Sequence, residues 1–352
     1  MKKWRRLTAV GFSVCAFVTV LAGCGSGGTQ KSAENGAVQQ EQSANTNAPE
    51  EVRILTLAHA SSSGPQYDAV KGFAEAVEKD SKGALKIEIK DSGVMGTETE
   101  VLDQVRMGAI EMALTGGANH QSIVPETAIE EMPYAFSNNE QAYAAMDGEL
   151  GDALKALLEE KGVTVLAWWE NGFREMTNNV RPINTVEDMK GLKIRSAEVE
   201  LRLDMFNALG ATAIPMAGSE VFTALSQGTV DGQENPLANI YVYKFQEAQK
   251  YLSFTHHIWG SYVLEINSDV WKGLTPEEQQ ILSSNAIKYR DIERDAVRNT
   301  TEEYQKLLLD AGMVANEVED LESFRVACQP VYDKWSKIFG DDLMQKLEKY
   351  RQ

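Results

Sequence analysis

The chain has 352 residues, of which 24% are charged, and a formal net charge of −18 at pH 7. So negative a surface repels nucleic acid and excludes a nucleic-acid-binding protein. It also repels small anions, so an anionic ligand requires a few local cations inside a cleft.

The first 23 residues have the pattern of a targeting segment, with four cations in the first six residues and a mostly apolar stretch at 7–22. That stretch is short for a membrane-spanning helix, which needs about 20 apolar residues. The LAGC at 21–24 resembles the lipobox of bacterial lipoproteins. The resemblance implies a signal peptide at 1–23 and a lipid on Cys24 that anchors the chain outside the cytoplasm. The alternative is an ordinary secretory signal in which Cys24 is incidental.

Residues 24–50 contain almost no large apolar side chains, so they are predicted to form a flexible tether. Gly23, Gly25 and Gly28 match G-x-G-x-x-G, but no strand precedes them and no helix follows. The dinucleotide-binding interpretation therefore fails.

From residue 51 onward, apolar runs alternate with amphipathic stretches. The first half predicts strands at 52–59, 84–90, 110–115 and 163–170, and helices at 66–81, 97–108 and 139–161. Strands that alternate with helices indicate parallel βαβ units, so the fold class is α/β. About 300 residues allow two cores, because a single core stops growing near 250–300 residues.

The second half continues the alternation. It predicts a short strand at 192–194 that ends near Arg195, a helix at 199–210, a strand at 211–216, and a helix with Ser219 as N-cap and Gly228 just past its end. Thr275 and Glu278 form a capping box before a stretch without Gly or Pro that lasts until Gly312. Its apolar stripe is too irregular for a coiled coil, so we expect one long helix packed across two domains.

Motifs of the common enzyme classes are missing from the sequence. It has no G-x-S-x-G elbow, P-loop or H-E-x-x-H, and no cofactor or metal site is expected. His256 and His257 are adjacent and would point to opposite faces of a strand. His59 ends the first strand, where it is either a surface histidine or lines a cleft at the carboxyl ends of the strands.

Two arginines and one asparagine lie at or near the ends of successive strands. Arg174 follows the Trp168-Trp169 strand, Arg195 ends the next one, and Asn235 precedes Pro236. A guanidinium group presents a planar fork that matches a carboxylate, and an amide donates to the same oxygens. The three side chains therefore form a plausible carboxylate clamp, although each alone is more often a solvated or loop residue.

From about 52 to 340 the chain resembles the extracytoplasmic solute receptors of TRAP (tripartite ATP-independent periplasmic) transporters. The matching segments are NGFREMTNN, RPINTVEDMKGLKIR, LGATAIPM, SEVFTALSQGTVDGQENPLA and KYLSFTHH. The resemblance implies a two-lobed binding-protein fold with a hinged cleft, a long helix spanning both lobes, an organic-anion ligand and a membrane permease partner. It also implies that Arg195 holds the ligand carboxylate while Arg174 and Asn235 assist. The expected lobes are 51–171 plus about 260–300, and 172–259 plus about 301–352.

The sialic-acid-binding branch differs from this chain at the positions of Gly116, Asn119, Glu198 and Gly218, so sialic acid is not the expected ligand. Glu198 follows Arg195 by three residues and can accept bonds from sugar hydroxyls, which favours a hydroxylated monocarboxylate such as a uronate or aldonate. Alternatively, Glu198 pairs with a neighbouring cation.

His59, Asn119, Trp169 and Glu198 are the expected lining residues. The alternative ligand is a C4-dicarboxylate or keto acid. The rival classes are a ligand-presenting subunit of a sensory system and an enzyme acting on a sugar acid.

Overall fold

The computed structural model describes residues 52–351. The expected signal peptide, Cys24 and the tether lie outside the described residues. Within 52–351, no helix combines the length and the apolar character needed to cross a membrane.

Strands and helices alternate through most of the described chain. The strands are β1 Arg53–His59, β2 Leu85–Lys90, β3 Met112–Gly116, β4 Val163–Phe173, β5 Glu175–Asn178, β6 Lys193–Ser196, β7 Thr212–Pro215, β8 Gly232–Asn235, β9 Tyr251–Phe254, β10 Trp259–Asn267 and β11 Val314–Glu317. The helices are α1 Pro65–Asp80, α2 Glu98–Arg106, α3 Asn139–Met146, α4 Glu149–Glu159, α5 Glu200–Ala208, α6 Val221–Gln227, α7 Leu237–Val242, α8 Ser268–Lys272, α9 Pro276–Asp310, α10 Leu321–Ala327 and α11 Gln329–Glu348. The predicted α/β class is confirmed.

The strands form two sheets. The first has the order β2-β1-β3-β10-β4, with β1 parallel to β2 and β3 and with β10 antiparallel to both its neighbours. The second has the order β11-β9-β5-β8-β6-β7, in which β6 is parallel to β7 and β8 while β5 is antiparallel to β8 and β9. The chain passes from the first sheet to the second between β4 and β5, and returns between β9 and β10.

The long helix α9 is capped as predicted. The Thr275 hydroxyl accepts from the Glu278 N–H, and the Glu278 carboxylate accepts from the Thr275 N–H. The helix contacts α1 and β4 of the first half and α7, which follows β8 of the second sheet. The C-terminal helix α11 contacts both α4 and α5, so it too packs against elements from both halves.

Two local predictions were wrong. The stretch at 139–161 forms two helices instead of one, because the chain is extended at Gly148 (φ −110°, ψ −155°). Ser219 is not an N-cap, since a short 3₁₀ turn at Gly218–Glu220 precedes α6 and no side chain caps that helix. Gly228 does end α6 in the left-handed conformation (φ 66°), which glycine adopts without strain.

Candidate functional site

Arg174 lies where the chain crosses from the first sheet to the second. Its backbone N–H donates to Ile258 O at 3.0 Å, which ties this crossing to the returning one. Its side chain is buried and donates from Nε and Nη2 to the Glu234 carboxylate, and from Nη2 to Asn235 Oδ1 at 2.9 Å. The β5–β8 pairing makes these contacts possible, because it sets Asn235 opposite the residue after Arg174. The charge of Arg174 is therefore already neutralised by Glu234.

Arg202 is a second buried arginine with carboxylate partners. It projects from α5 and binds both oxygens of Glu131, with Nε at 2.8 Å from Oε2, while its Nη1 donates to Glu234 Oε1 at 3.2 Å. Burial alone would raise the pKa of Glu234, but Arg174 and Arg202 together hold that pKa well below its usual range. Sequence reasoning missed both Arg202 and Glu234. The signal for Arg202 was a cation on the face of α5 that also carries Met205 and Phe206.

Arg195 is the one arginine of this group without a carboxylate partner in residues 52–351. Its side chain is 5% exposed, and Nε and Nη2 both donate to Met216 O, at 3.0 and 2.6 Å. Burial lowers the pKa of Arg195 to about 10; Glu234 acts in the opposite direction, while the charges of Arg174 and Arg202 lower the pKa further. A buried cation whose only hydrogen-bond partner is a carbonyl oxygen would be stabilised by an anion beside it. We call Arg174, Arg195, Arg202, Glu131 and Glu234 the arginine cluster.

Glu98 presents a carboxylate close to this cluster. It is the first residue of α2, and its oxygens accept from the Gly116 N–H at 3.1 Å and from Asn119 Nδ2 at 3.2 Å. Its negative charge acts on Arg195 and raises the pKa of that arginine. Asn119, an expected lining residue, therefore lies beside the Glu98 carboxylate. Sequence reasoning missed Glu98 because an acidic residue in the first turn of a helix is ordinary.

His59, at the end of β1, is buried and held on several sides. Its Nδ1 lies 3.1 Å from Leu114 O, and its ring stacks with Tyr67 and meets the edge of Tyr262. Because a carbonyl oxygen can only accept, Nδ1 carries the hydrogen, and Nε2 of the neutral ring is an acceptor. Burial lowers the pKa of His59 despite opposing effects of Leu114 O and Glu98, so the neutral form is favoured. His59 and Glu98 line one small cavity.

Two tyrosines connect this cavity to the arginine cluster. Tyr262 of β10 shares a side-chain hydrogen bond with Tyr243, and another with Asn239 of α7. The pKa of Tyr243 is raised by burial and by the charge of Glu98, while Arg195 acts in the opposite direction. Tyr243 therefore lies within electrostatic reach of both Glu98 and Arg195. Sequence reasoning did not select either tyrosine.

Two expected lining residues lie elsewhere. Trp169 is fully buried among apolar side chains, with its indole N–H donating to Ala286 O of α9 at 3.1 Å and its ring against Phe73. This packing under the long helix contradicts a lining role for Trp169. Glu198 is exposed in the turn between β6 and α5, so it is not part of the buried group around Arg195, and no ion pair of Glu198 is found within 52–351.

The adjacent histidines do face different surroundings, although they lie in the loop after β9 instead of on a strand. His256 is partly exposed and lies 2.6 Å from Glu175, whereas His257 is buried with Nε2 at 3.4 Å from Glu234 Oε2. Across the described part of the chain, no group of histidine, cysteine or acidic side chains is arranged to hold a metal ion.

Comparisons with known proteins agree with this geometry. The model of bacterial extracellular solute-binding protein family 7 (DctP) matches residues 57–338. The 2,3-diketo-L-gulonate-binding periplasmic protein YiaO of Escherichia coli is 37% identical over 243 residues, which are 69% of this chain and 73% of that protein.

Two solved structures are similar over most of the chain. The galactonate complex of a sugar acid binding protein from Advenella mimigardefordensis has a TM-score of 0.83 at 30% identity, covering 85% of this chain and 98% of that one. A TRAP periplasmic solute-binding protein from a Sulfitobacter species with bound β-D-galacturonate has a TM-score of 0.81 at 30% identity, covering 85% and 99%. These likenesses confirm the expected two-lobed architecture.

Proposed function

Because this chain belongs to the DctP family of bacterial extracellular solute-binding proteins, we propose that it captures a small hydroxylated monocarboxylate and delivers it to a TRAP permease. Membership confirms the resemblance drawn from the sequence, and it makes the chain an extracytoplasmic TRAP-type receptor and not an enzyme. The ligand class, the roles of the site residues and the membrane anchor are the subject of the proposal.

The observation that carries the proposal is the charge balance of the arginine cluster. Three buried guanidinium groups (Arg174, Arg195, Arg202) stand against two buried carboxylates (Glu131, Glu234), so the arginine cluster itself carries one positive charge in excess. Glu98 acts on Arg195 through its charge but forms no ion pair with it among the described residues. Arg195 is the residue at which that excess resides. One ligand carboxylate at Arg195 would neutralise the cluster and receive charge-assisted hydrogen bonds of about 1.5–3 kcal/mol each.

Arg174 and Asn235 assist in this proposal from the neighbouring position. The bonds of Arg174 to Glu234 and Asn235 use Nε and Nη2, so Nη1 is the atom that would contact the ligand. Asn235 donates from Nδ2 to Gln233 Oε1 at 2.5 Å and has a second N–H on the same nitrogen.

The Glu98 carboxylate favours hydroxyl groups on the ligand. Glu98 is an acceptor held by Gly116 and Asn119, and a second ligand carboxylate beside it would meet like charge. Sugar hydroxyls can instead donate to it. The Advenella and Sulfitobacter relatives hold a sugar acid of this kind. The alternative ligands fit less well beside Glu98. The second carboxylate of a C4-dicarboxylate would need a second cation there, and the keto oxygen of a keto acid would need a donor.

A binding screen tests the function. We expect galactonate and galacturonate to raise the melting temperature and to bind in calorimetry, whereas succinate should do neither. Ligand at one hundred times its Kd stabilises the folded state by about 2.7 kcal/mol. Arg195→Lys should weaken binding because an ammonium cannot form the planar two-point contact. The matched control Arg298→Ala removes an arginine of α9 that is 43% exposed and should leave binding unchanged. Stabilisation by succinate alone would overturn the proposed ligand class.

We further propose that the two sheets belong to two lobes, 51–171 plus about 260–300 and 172–259 plus about 301–352, which close on the ligand. The crossings at β4–β5 and β9–β10 are the natural hinge segments, and Arg174 lies within the first of them. Small-angle scattering with and without galactonate tests closure, since a ligand-bound receptor should have a smaller radius of gyration. An unchanged radius at saturating ligand would argue against closure.

The anchor is proposed from Cys24 and the LAGC sequence before it. Expression of the full chain in a bacterium should place it in the membrane fraction, and Cys24→Ser should release it. Mass spectrometry of the mature N-terminus should find residue 24 carrying lipid. An unmodified Cys24 in released protein would instead indicate an ordinary secretory signal.

A further inference from the structure

The orientation of the His59 ring is fixed by the fold. Parallel pairing of β1 with β3 sets His59 opposite Leu114, and Nδ1 donates to the carbonyl oxygen of that residue. Tyr67 and Tyr262 contact the ring from two further directions. Flipping the ring would break the Nδ1 bond, so the direction of Nε2 is determined by the sheet.

Nε2 of His59 has no hydrogen-bond partner among residues 52–351, although the side chain is only 3% exposed. A buried acceptor without a donor is unfavourable, and such atoms are paired in most folded proteins. Glu98, which lines the same small cavity, is also an acceptor. Two neighbouring acceptors require a partner that is a hydrogen-bond donor.

We propose that His59 is a specificity-determining residue whose Nε2 accepts a hydrogen bond from one ligand hydroxyl. The inference rests on the proposed function, because it assigns the far end of a ligand whose carboxylate lies at Arg195. A carboxylate or keto oxygen at this position would place lone pair against lone pair, so the contact selects hydroxylated acids against dicarboxylates and keto acids.

A protein–ligand cycle tests this contact with the full mature chain. Galactonate and a set of aldonates, each lacking a different hydroxyl, are titrated into the wild type, His59→Phe and His59→Gln. We expect His59→Phe to weaken galactonate binding about tenfold or more. One deoxy compound, the one that lacks the hydroxyl donating to His59, should bind the wild type and His59→Phe with the same affinity. His59→Gln retains an acceptor oxygen and should recover part of the loss.

Nitrogen NMR of the imidazole supplies a readout that a merely structural histidine would not change. The Nε2 resonance should shift when galactonate binds, and the Nδ1 resonance should stay that of a protonated nitrogen. If His59→Phe weakens every deoxy compound as much as galactonate, His59 only holds β1 to β3 and the inference is wrong. If the wild type binds no hydroxylated monocarboxylate, the proposed function has failed instead.

Discussion

Replacing Arg195 by methionine should separate its role in binding from its role in stability. The side chain is buried, and its pKa of about 10 corresponds to about 3 kcal/mol against the charged form in the folded protein. Methionine fills similar space without a charge, although it leaves Met216 O without two donors, at a cost of about 1 kcal/mol. The ligand-free Arg195→Met protein should therefore be more stable by about 2 kcal/mol, or about 4 °C in melting temperature.

Binding should respond in the opposite direction. Loss of a two-point contact to a carboxylate removes about 3–6 kcal/mol, which raises Kd by two orders of magnitude or more. Differential scanning calorimetry without ligand and titration calorimetry with galactonate measure the two effects on the same preparation. The assay belongs at pH 7–8: the folded pKa is lowered, so the penalty is complete below about pH 10 and is lost as pH rises further.

Arg202→Met is the matched control for Arg195→Met. Arg202 is equally buried but paired with Glu131 and Glu234. Its removal leaves Glu131 without a cationic partner among the described residues, while Glu234 keeps Arg174, and should destabilise the protein by about 3–5 kcal/mol. If Arg195→Met is destabilised to a similar extent, or still binds galactonate normally, the view of Arg195 as an unpaired cation awaiting a carboxylate is refuted.

Three further changes test other parts of the structure. Burial, reinforced by Glu131, raises the pKa of Glu130 to about 8, so between about pH 5 and 8 the folded state holds a proton that the unfolded state has lost. The stability of the wild type should therefore fall as pH rises from about 5 to 8, and urea unfolding of Glu130→Gln should show a smaller fall. Trp169→Phe should lower the melting temperature but change Kd less than twofold in calorimetry, whereas a large loss of affinity would restore its lining role. Thr275→Ala should cost about 1 kcal/mol in urea unfolding through loss of the cap of α9, and an unchanged midpoint would count against that cap.

The sequence predicted the parts of the fold that depend on local signals. The capping box at Thr275, the left-handed Gly228 and the alternation of strands with helices are each determined by neighbouring residues, and all three are present. The break at Gly148 was missed because it depends on tertiary packing: Asp147, beside it, pairs with Arg290 and Arg294 of the distant helix α9.

The site was only partly predictable for the same reason. Arg174 and Arg195 look alike in the sequence, since both lie at or near a strand end, yet of the two only Arg174 donates hydrogen bonds to Glu234. The pairing of Arg202 with Glu131 joins residues 71 positions apart and leaves no local pattern. Trp168 and Trp169 are both buried, and strand alternation says only that they point to opposite faces of the sheet. It does not say which face lies toward the ligand.

In the proposed receptor, recognition is divided into two separate tasks. An excess positive charge at Arg195 favours any small carboxylate, because every such ligand would supply the missing anion. It cannot by itself distinguish galactonate from succinate. Under the proposed function, we expect discrimination from the acceptors at Glu98 and His59, which a hydroxyl satisfies and a second carboxylate opposes. On this argument, changes at Glu98 and His59 should alter which acid binds, while changes at Arg195 should alter whether any acid binds.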